Sequence, residues 1–362
     1  MTREELCSKI DEAIAAYSHI GETASCERYG NGHINDTHLL VLKSGKRYIF
    51  QRINHDIFKN PEGIMSNITL VTRHIADKAA LYGKDPSRVT LTVVPTNDGK
   101  AFYRDSIGSY WRLFDFVEQT VAKDKVENIE EFEMCGEAFG EFLCMLEDFD
   151  AEKLFEVIPA FHNTPKRYEN LMRAVEADVC GRVSEVGEEI EFCRARKDFA
   201  ETLERAHAKG KLPLRVTHND TKLNNILFDA NDKRPACVID LDTIMPGYVV
   251  NDFGDSIRFG ATTAAEDEAD LSKVKFDLEL YRAYAQGYLK GARGKLTECE
   301  RELLPVGAMM MTFECGMRFL TDYLEGDTYF RTSRPRHNLD RARNQFALLR
   351  DMEANLDKMK IV

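Results

Sequence analysis

The sequence predicts an α+β fold, with a small antiparallel sheet in its N-terminal third and a large, mainly helical remainder. Three observations carry that expectation. From Cys26 to Phe116, residues 37–42, 47–53, 89–94, 101–103 and 110–116 form short segments rich in Thr, Val, Tyr and Phe, as strands are. After Glu118 the apolar residues recur mostly at helical spacing. Only residues 216–240 break that pattern, with the apolar runs 226–228 and 237–239 around a turn.

In chain order, Thr2 and Glu5 read as a capping box that opens a helix with Leu6, Ile10, Ala13, Ile14 and Tyr17 on one face. Residues 43–46 and 97–99 read as hairpin turns, since each places Gly between strand-like runs. One helix interrupts the strands over residues 61–82, with Pro61 at its start and Gly83 at its end. Helices follow at residues 129–147, 165–179, 184–208, 267–290, 298–324 and 339–359. This order divides the chain into an N-terminal lobe, residues 1–116, and a helical lobe, residues 117–362.

Composition narrows the function. With 362 residues and 43% apolar content the chain can bury a large core. Its formal net charge of −12 argues against a nucleic-acid partner, so an anionic ligand must be held by local groups. The nine cysteines are scattered without a C-x-x-C pair, which fits reduced thiols. No signal-peptide pattern opens the sequence, and no apolar run approaches the roughly 20 residues of a membrane span, so a cytoplasmic protein without a membrane partner is expected.

The densest polar signal runs from Thr217 to Asn225. It contains His218, Asp220 and Asn225 in the spacing H-x-D-x-x-x-x-N, and Asp240 follows the second apolar run. Phosphoryl transfer needs a carboxylate to orient and deprotonate an attacking hydroxyl, and oxygen ligands to hold Mg²⁺ against nucleotide phosphates. A lone Asp before an Asn is ordinarily a turn or a cap; the full pattern favours chemistry. It resembles the aminoglycoside phosphotransferase and choline kinase superfamily, whose fold is protein-kinase-like and bilobal. That resemblance implies ATP as co-substrate, Asp220 as catalytic base, Asn225 and Asp240 as Mg²⁺ ligands, and His218 as a brace. Asp242 either adds a metal contact or shapes its turn. Asp252 and Asp255 read as capping or loop-bracing groups.

The glycine pair Gly30 and Gly32 lies where the backbone could approach phosphate, with a plain hairpin turn as the alternative. The connector of residues 113–118, including Phe116 and Glu118, is expected to offer its backbone to adenine. One departure stands out: the third-strand lysine usual in this superfamily has no counterpart, and Gln51 or Arg52 occupies its place. The usual helix glutamate has only Glu62 as an early candidate.

Further stretches resemble the N-acetylhexosamine 1-kinases of that superfamily: residues 32–35, 161–165, 253–260 and 314–320. This implies phosphorylation of the anomeric hydroxyl of an N-acetylated hexosamine, with His33 and Arg318 binding the sugar and Phe259 lining its pocket. Each has a plainer alternative: a loop brace for His33, an internal salt bridge for Arg318 and core packing for Phe259. His162 and Asn163 read as loop structure before Pro165. A kinase for another sugar or amino alcohol is the alternative function. A catalytically dead nucleotide-binding regulator is disfavoured by the intact Asp220, Asn225 and Asp240.

Overall fold

The computed structural model describes residues 3–30, 34–123 and 125–360. Thr2, Gly32 and His33 therefore lie outside the described residues. Two compact units are present. The first gathers Met1–Ala122, Asp148–Pro159 and Leu227–Met245; the second holds Lys123–Glu147, Ala160–Ile226 and Pro246–Val362. Where the sequence suggests one break at 116/117, the first unit continues through Ala122 and takes in two later segments.

In the first unit, α1 (Arg3–Ala15) precedes an antiparallel sheet. Its main path is β1 (Thr23–Arg28), β2 (Asp36–Leu42), β3 (Arg47–Ile53), β6 (Tyr110–Asp115) and β4 (Val93–Val94), with β5 (Tyr103–Arg104) also on β6. Alternation puts Leu40, Leu42, Tyr48, Phe50, Trp111 and Leu113 on one face, in a core shared with Ala13 of α1 and with Tyr17 just beyond it. Gln51 and Arg112 are opposite one another in the β3–β6 register. α2 (Pro61–Leu81) opens on an Asn60 cap with Pro61 in its first turn. The expected strand at 89–94 is shortened by α3 (Pro86–Val89): Asp85 caps that turn, and only Val93–Val94 remains extended. β7 (Thr120–Ala122) pairs with β9 (Ile226–Asp229), and β9 pairs with β10 (Pro235–Val238), the expected hairpin.

The second unit is helical. α4 (Ile129–Met145) and α10 (Leu278–Ala292) cross at contact distance, because glycine on each meets backbone on the other. A Cβ on Gly287 would lie 1.9 Å from the Glu133 carbonyl oxygen, and one on Gly136 2.2 Å from that of Tyr284. α9 (Val249–Gly260) and α11 (Glu298–Leu324) meet in the same way through Gly254 and Gly307. α5 (Thr164–Ala177) and α12 (His337–Ala354), continued by α13 (Leu356–Met359), complete the long helices.

Two expected helices are corrected. Residues 184–208 break into α6 (Gly187–Arg194), α7 (Lys197–Ala200) and α8 (Thr202–Ala208): after α6 the Arg196 N–H turns to the Cys193 carbonyl, three residues back, and the Arg196 guanidinium takes the Phe192 carbonyl. The helix expected from 267 begins only at Leu278, where Asp277 caps it. α11 is long and apolar enough to span a membrane, contrary to the expectation that no run comes near, but 83% of its apolar stretch is buried, as in a core helix. Cys135, Cys144, Cys193, Cys237 and Cys315 are buried and in no disulfide, and burial pushes the Cys135 and Cys237 thiols up to about 12.

Candidate active site

In the second unit, β8 (Arg215–Thr217) leads into the loop carrying the H-x-D-x-x-x-x-N pattern, and β11 (Met245–Gly247) brings Gly247 against Thr217. The loop turns at Asn219, whose φ of 64° is left-handed, a conformation Asn tolerates better than most residues. It is braced from three directions. From α9, the Asp252 carboxylate accepts the backbone N–H groups of His218 and Asn219, each at 2.7 Å, and the Ser256 hydroxyl donates to the Thr221 carbonyl at 2.6 Å. Burial raises the Asp252 carboxyl to about 6. From α4, Phe139 and Phe142 meet the His218 ring edge-on at 5.7 and 5.9 Å, while His218 Nδ1 accepts the Asp220 N–H.

The third brace is His162, just before α5. Its Nδ1 lies 2.9 Å from Glu314 Oε1 on α11, and its Nε2 lies 3.2 Å from the Asn219 carbonyl oxygen. Both ring nitrogens face acceptors, so the geometry calls for the doubly protonated imidazolium. Burial opposes that charge, but the hydrogen bond and charge of Glu314 outweigh burial and raise the His162 pKa. Glu314 is correspondingly lowered, against its own burial, and Thr164 Oγ1 donates to its other oxygen at 2.8 Å.

Asp220 itself is half-buried. Asn225 Nδ2 donates to the Asp220 carbonyl at 2.8 Å and to its Oδ2 at 3.2 Å. Lys222 Nζ stands 2.7 Å from Oδ1. Burial would discharge this lysine, but Asp220 and Asp255 together raise its pKa. The H-x-D-x-x-x-x-N pattern does not single out Lys222, whose one signal in the sequence is a cation two residues beyond the motif Asp.

Phe259, in the last turn of α9, is 42% exposed and is not core. It lines a cavity of about 450 Å³ with Thr221, Lys222, Phe132, Leu280 and Tyr284. Arg318 stands one turn beyond Glu314 on α11. Its guanidinium carbon lies 5.6, 5.9 and 5.4 Å from the ring centres of Phe161, Tyr329 and Phe330. Among the described residues it has no hydrogen bond or ion pair, so the salt-bridge alternative is absent there.

In the first unit, Asp240 follows β10 by two residues, exposed and left-handed at φ 59° and ψ 56°. Asp242 is buried and held by Arg112 and Asn35, so it shapes the turn. Arg52 pairs with Asp36, whereas Gln51, on the opposite face of β3, bonds Thr37 and Arg112. In the connector, the Phe116 N–H donates to Arg47 O, and the Glu118 carbonyl accepts from Arg88. The Phe116 carbonyl and Glu118 N–H, two residues apart, have no partner among the described residues. Gly30 has a φ of 76°, with nothing within 4 Å of where a Cβ would be.

The donor chemistry suits a hard divalent cation. Asn225 is buried with its amide nitrogen committed to Asp220, which leaves its amide oxygen without a protein donor among the described residues. No cluster of three His, Cys, Asp or Glu side chains exists among the described residues.

These features define a protein-kinase-like α+β fold, and solved structures share it. The chain is similar to a microcompartment-associated aminopropanol kinase, with a TM-score of 0.59 and 16% identity over 98% of this chain and 99% of that one. It is similar to an amicoumacin kinase solved with AMP-PNP and Ca²⁺, with a TM-score of 0.61 and 11% identity over 98% and 94%. A choline kinase from Cryptosporidium parvum matches with a TM-score of 0.54 and 15% identity over 92% and 90%. The chain belongs to the phosphotransferase enzyme family, APH, which it matches over residues 25–298.

Proposed function

We propose that this protein is an ATP- and Mg²⁺-dependent small-molecule kinase that phosphorylates the anomeric hydroxyl of an N-acetylated hexosamine. The observation that carries the kinase half is Asp220, an acceptor fixed between the Asn225 amide and the Lys222 ammonium on a loop braced from three helices. In this reading Asp220 takes the proton of the attacking hydroxyl. That oxygen bonds the γ-phosphorus of ATP, the bond from phosphorus to the β,γ-bridging oxygen breaks, and ADP leaves. Asn225 and Asp240 would hold Mg²⁺, which neutralises phosphate charge when bound; their sharing of one ion rests on motif order. The Phe116 carbonyl and Glu118 N–H offer adenine an acceptor and a donor.

The acceptor half is supported by Arg318. A cation held only by ring faces keeps its N–H donors for a ligand carbonyl such as an acetamido group. The same collar disfavours choline or a polycationic aminoglycoside, because the cation it accommodates is already present. Phe259 would face the sugar ring, and His33 supplies a further donor in this reading.

Release of ADP with N-acetylglucosamine, N-acetylgalactosamine, galactose, choline and kanamycin as acceptors tests the proposal directly. Turnover should be confined to the N-acetylated sugars or be fastest on them. Phosphorus NMR should show an anomeric phosphate; a 6-phosphate would overturn the 1-kinase reading. Arg318→Ala should lose about 1.5–3 kcal/mol of transition-state binding, roughly tenfold to 150-fold in kcat/KM, on the N-acetylated sugar. The loss should be smaller on galactose. Equal losses would make Arg318 structural.

A further inference from the structure

The third-strand position that the sequence leaves without a lysine is occupied by part of a larger buried network. β6 alternates Trp111 and Leu113, both fully buried in the sheet core, with Arg112 on the opposite face. The Arg112 and Asp242 side chains are each only 2% exposed. A guanidinium so buried is costly unless its donors are matched. Here Nη1 and Nη2 grip the two Asp242 oxygens, Nε donates to Gln51 Oε1 at 2.9 Å, and Nη1 also faces the Met65 sulfur of α2 at 3.8 Å. Gln51 Nε2 in turn donates to Thr37 at 2.8 Å. Asn35 Nδ2 donates to Asp242 Oδ2 at 2.6 Å, while Asn35 Oδ1 accepts the Asn54 N–H at 3.0 Å. The network joins β2, β3 and β6 to the short helical turn Leu241–Thr243.

Asp240 sits immediately before that turn in a left-handed conformation, which is strained for a residue with a Cβ although Asp tolerates it better than most. Resting on the kinase reading above, we infer that Arg112 is a positioning residue: through Asp242 it fixes the turn that aims the Asp240 carboxylate at the metal–nucleotide complex. Arg112 does not grip phosphate in place of the missing lysine, since Nε, Nη1 and Nη2 all have protein partners. α2 offers it a thioether rather than a carboxylate, so the anchoring anion comes from the metal-bearing turn itself.

The test is direct binding of Mn²⁺, as a spectroscopic substitute for Mg²⁺, followed by electron paramagnetic resonance in the presence of AMP-PNP. No acceptor or turnover is needed. R112M alone would strand a buried carboxylate, so the main variant is Arg112→Met with Asp242→Leu, which removes both charges. It should bind Mn²⁺ with nucleotide about 10- to 100-fold more weakly, the usual effect of losing a group that orients a metal ligand. AMP-PNP binding in excess chelator should be unchanged. Arg112→Lys, which keeps the charge but not the paired grip, should fall between the double variant and the wild type. Wild-type Mn²⁺ affinity in the double variant would overturn the proposal, as would a parallel loss of AMP-PNP binding in chelator. Wild-type protein that binds no Mn²⁺ with AMP-PNP would instead remove the kinase reading on which the inference rests.

Discussion

The loop of Asp220 and the turn of Asp240 are held by different physics. The first is tied by groups that titrate, His162 with Glu314 and Asp252 with two backbone amides. The second is tied by a buried guanidinium–carboxylate pair, Arg112 with Asp242. On the proposed reading, the loop that would accept the proton should respond to pH through the His162–Glu314 pair, whereas the turn that would hold the metal depends on one guanidinium–carboxylate grip.

The largest expected effect tests the centre of the first station. Asp220→Asn should lower kcat roughly 10²- to 10⁴-fold with nucleotide binding nearly intact, and a kcat within about threefold of wild type would remove Asp220 as the base. Next comes its support from α9. Asp252→Asn keeps the shape but presents one amide hydrogen bearer to two backbone donors, so denaturant unfolding should register a loss of about 1–3 kcal/mol. If stability and kcat are both unchanged, the α9 brace does not fix the loop.

The smallest effect sharpens the comparison most. Glu314 faces His162 directly, Asp255 adds to its charge from α9, and Arg318 opposes it. Because the folded pKa lies above the ordinary value of about 6.5, the folded chain holds a proton that the unfolded chain releases first. This contribution is therefore complete below about pH 6.5 and is lost as pH rises through the raised pKa. Thermal melts from neutral to alkaline pH should show wild-type stability falling through that window and His162→Gln flatter. Identical pH profiles would show that the imidazolium carries no linkage.

Much of this was legible in the sequence, for identifiable reasons. β3 and α11 were expected at their observed limits, because each is a clean run of its own periodicity. α9 was not expected. Its residues Val249 to Arg258 are all buried, including Asn251, Asp252, Asp255 and Arg258, so no polar face alternates with an apolar one. The loop announced itself because its chemistry is local, from His218 to Asn225. Its supports did not: Glu314 lies 152 residues from His162, and Asp242 lies 130 from Arg112. Arg112 left one trace, a charge inside an apolar strand.

Glu314 and Arg318 occupy neighbouring turns of one helix but are embedded differently. Glu314 is bonded on both oxygens, whereas Arg318 is bordered by rings, two of which, Tyr329 and Phe330, also pack on each other at 4.8 Å. Replacing Glu314 breaks the loop's support; replacing Arg318 leaves a lined recess and an intact loop. If Arg318 binds the acceptor as proposed, acceptor choice is thereby uncoupled from catalytic competence at the level of single codons. On that reading a lineage could retune position 318 toward a new hydroxyl-bearing compound while keeping the braced loop of Asp220.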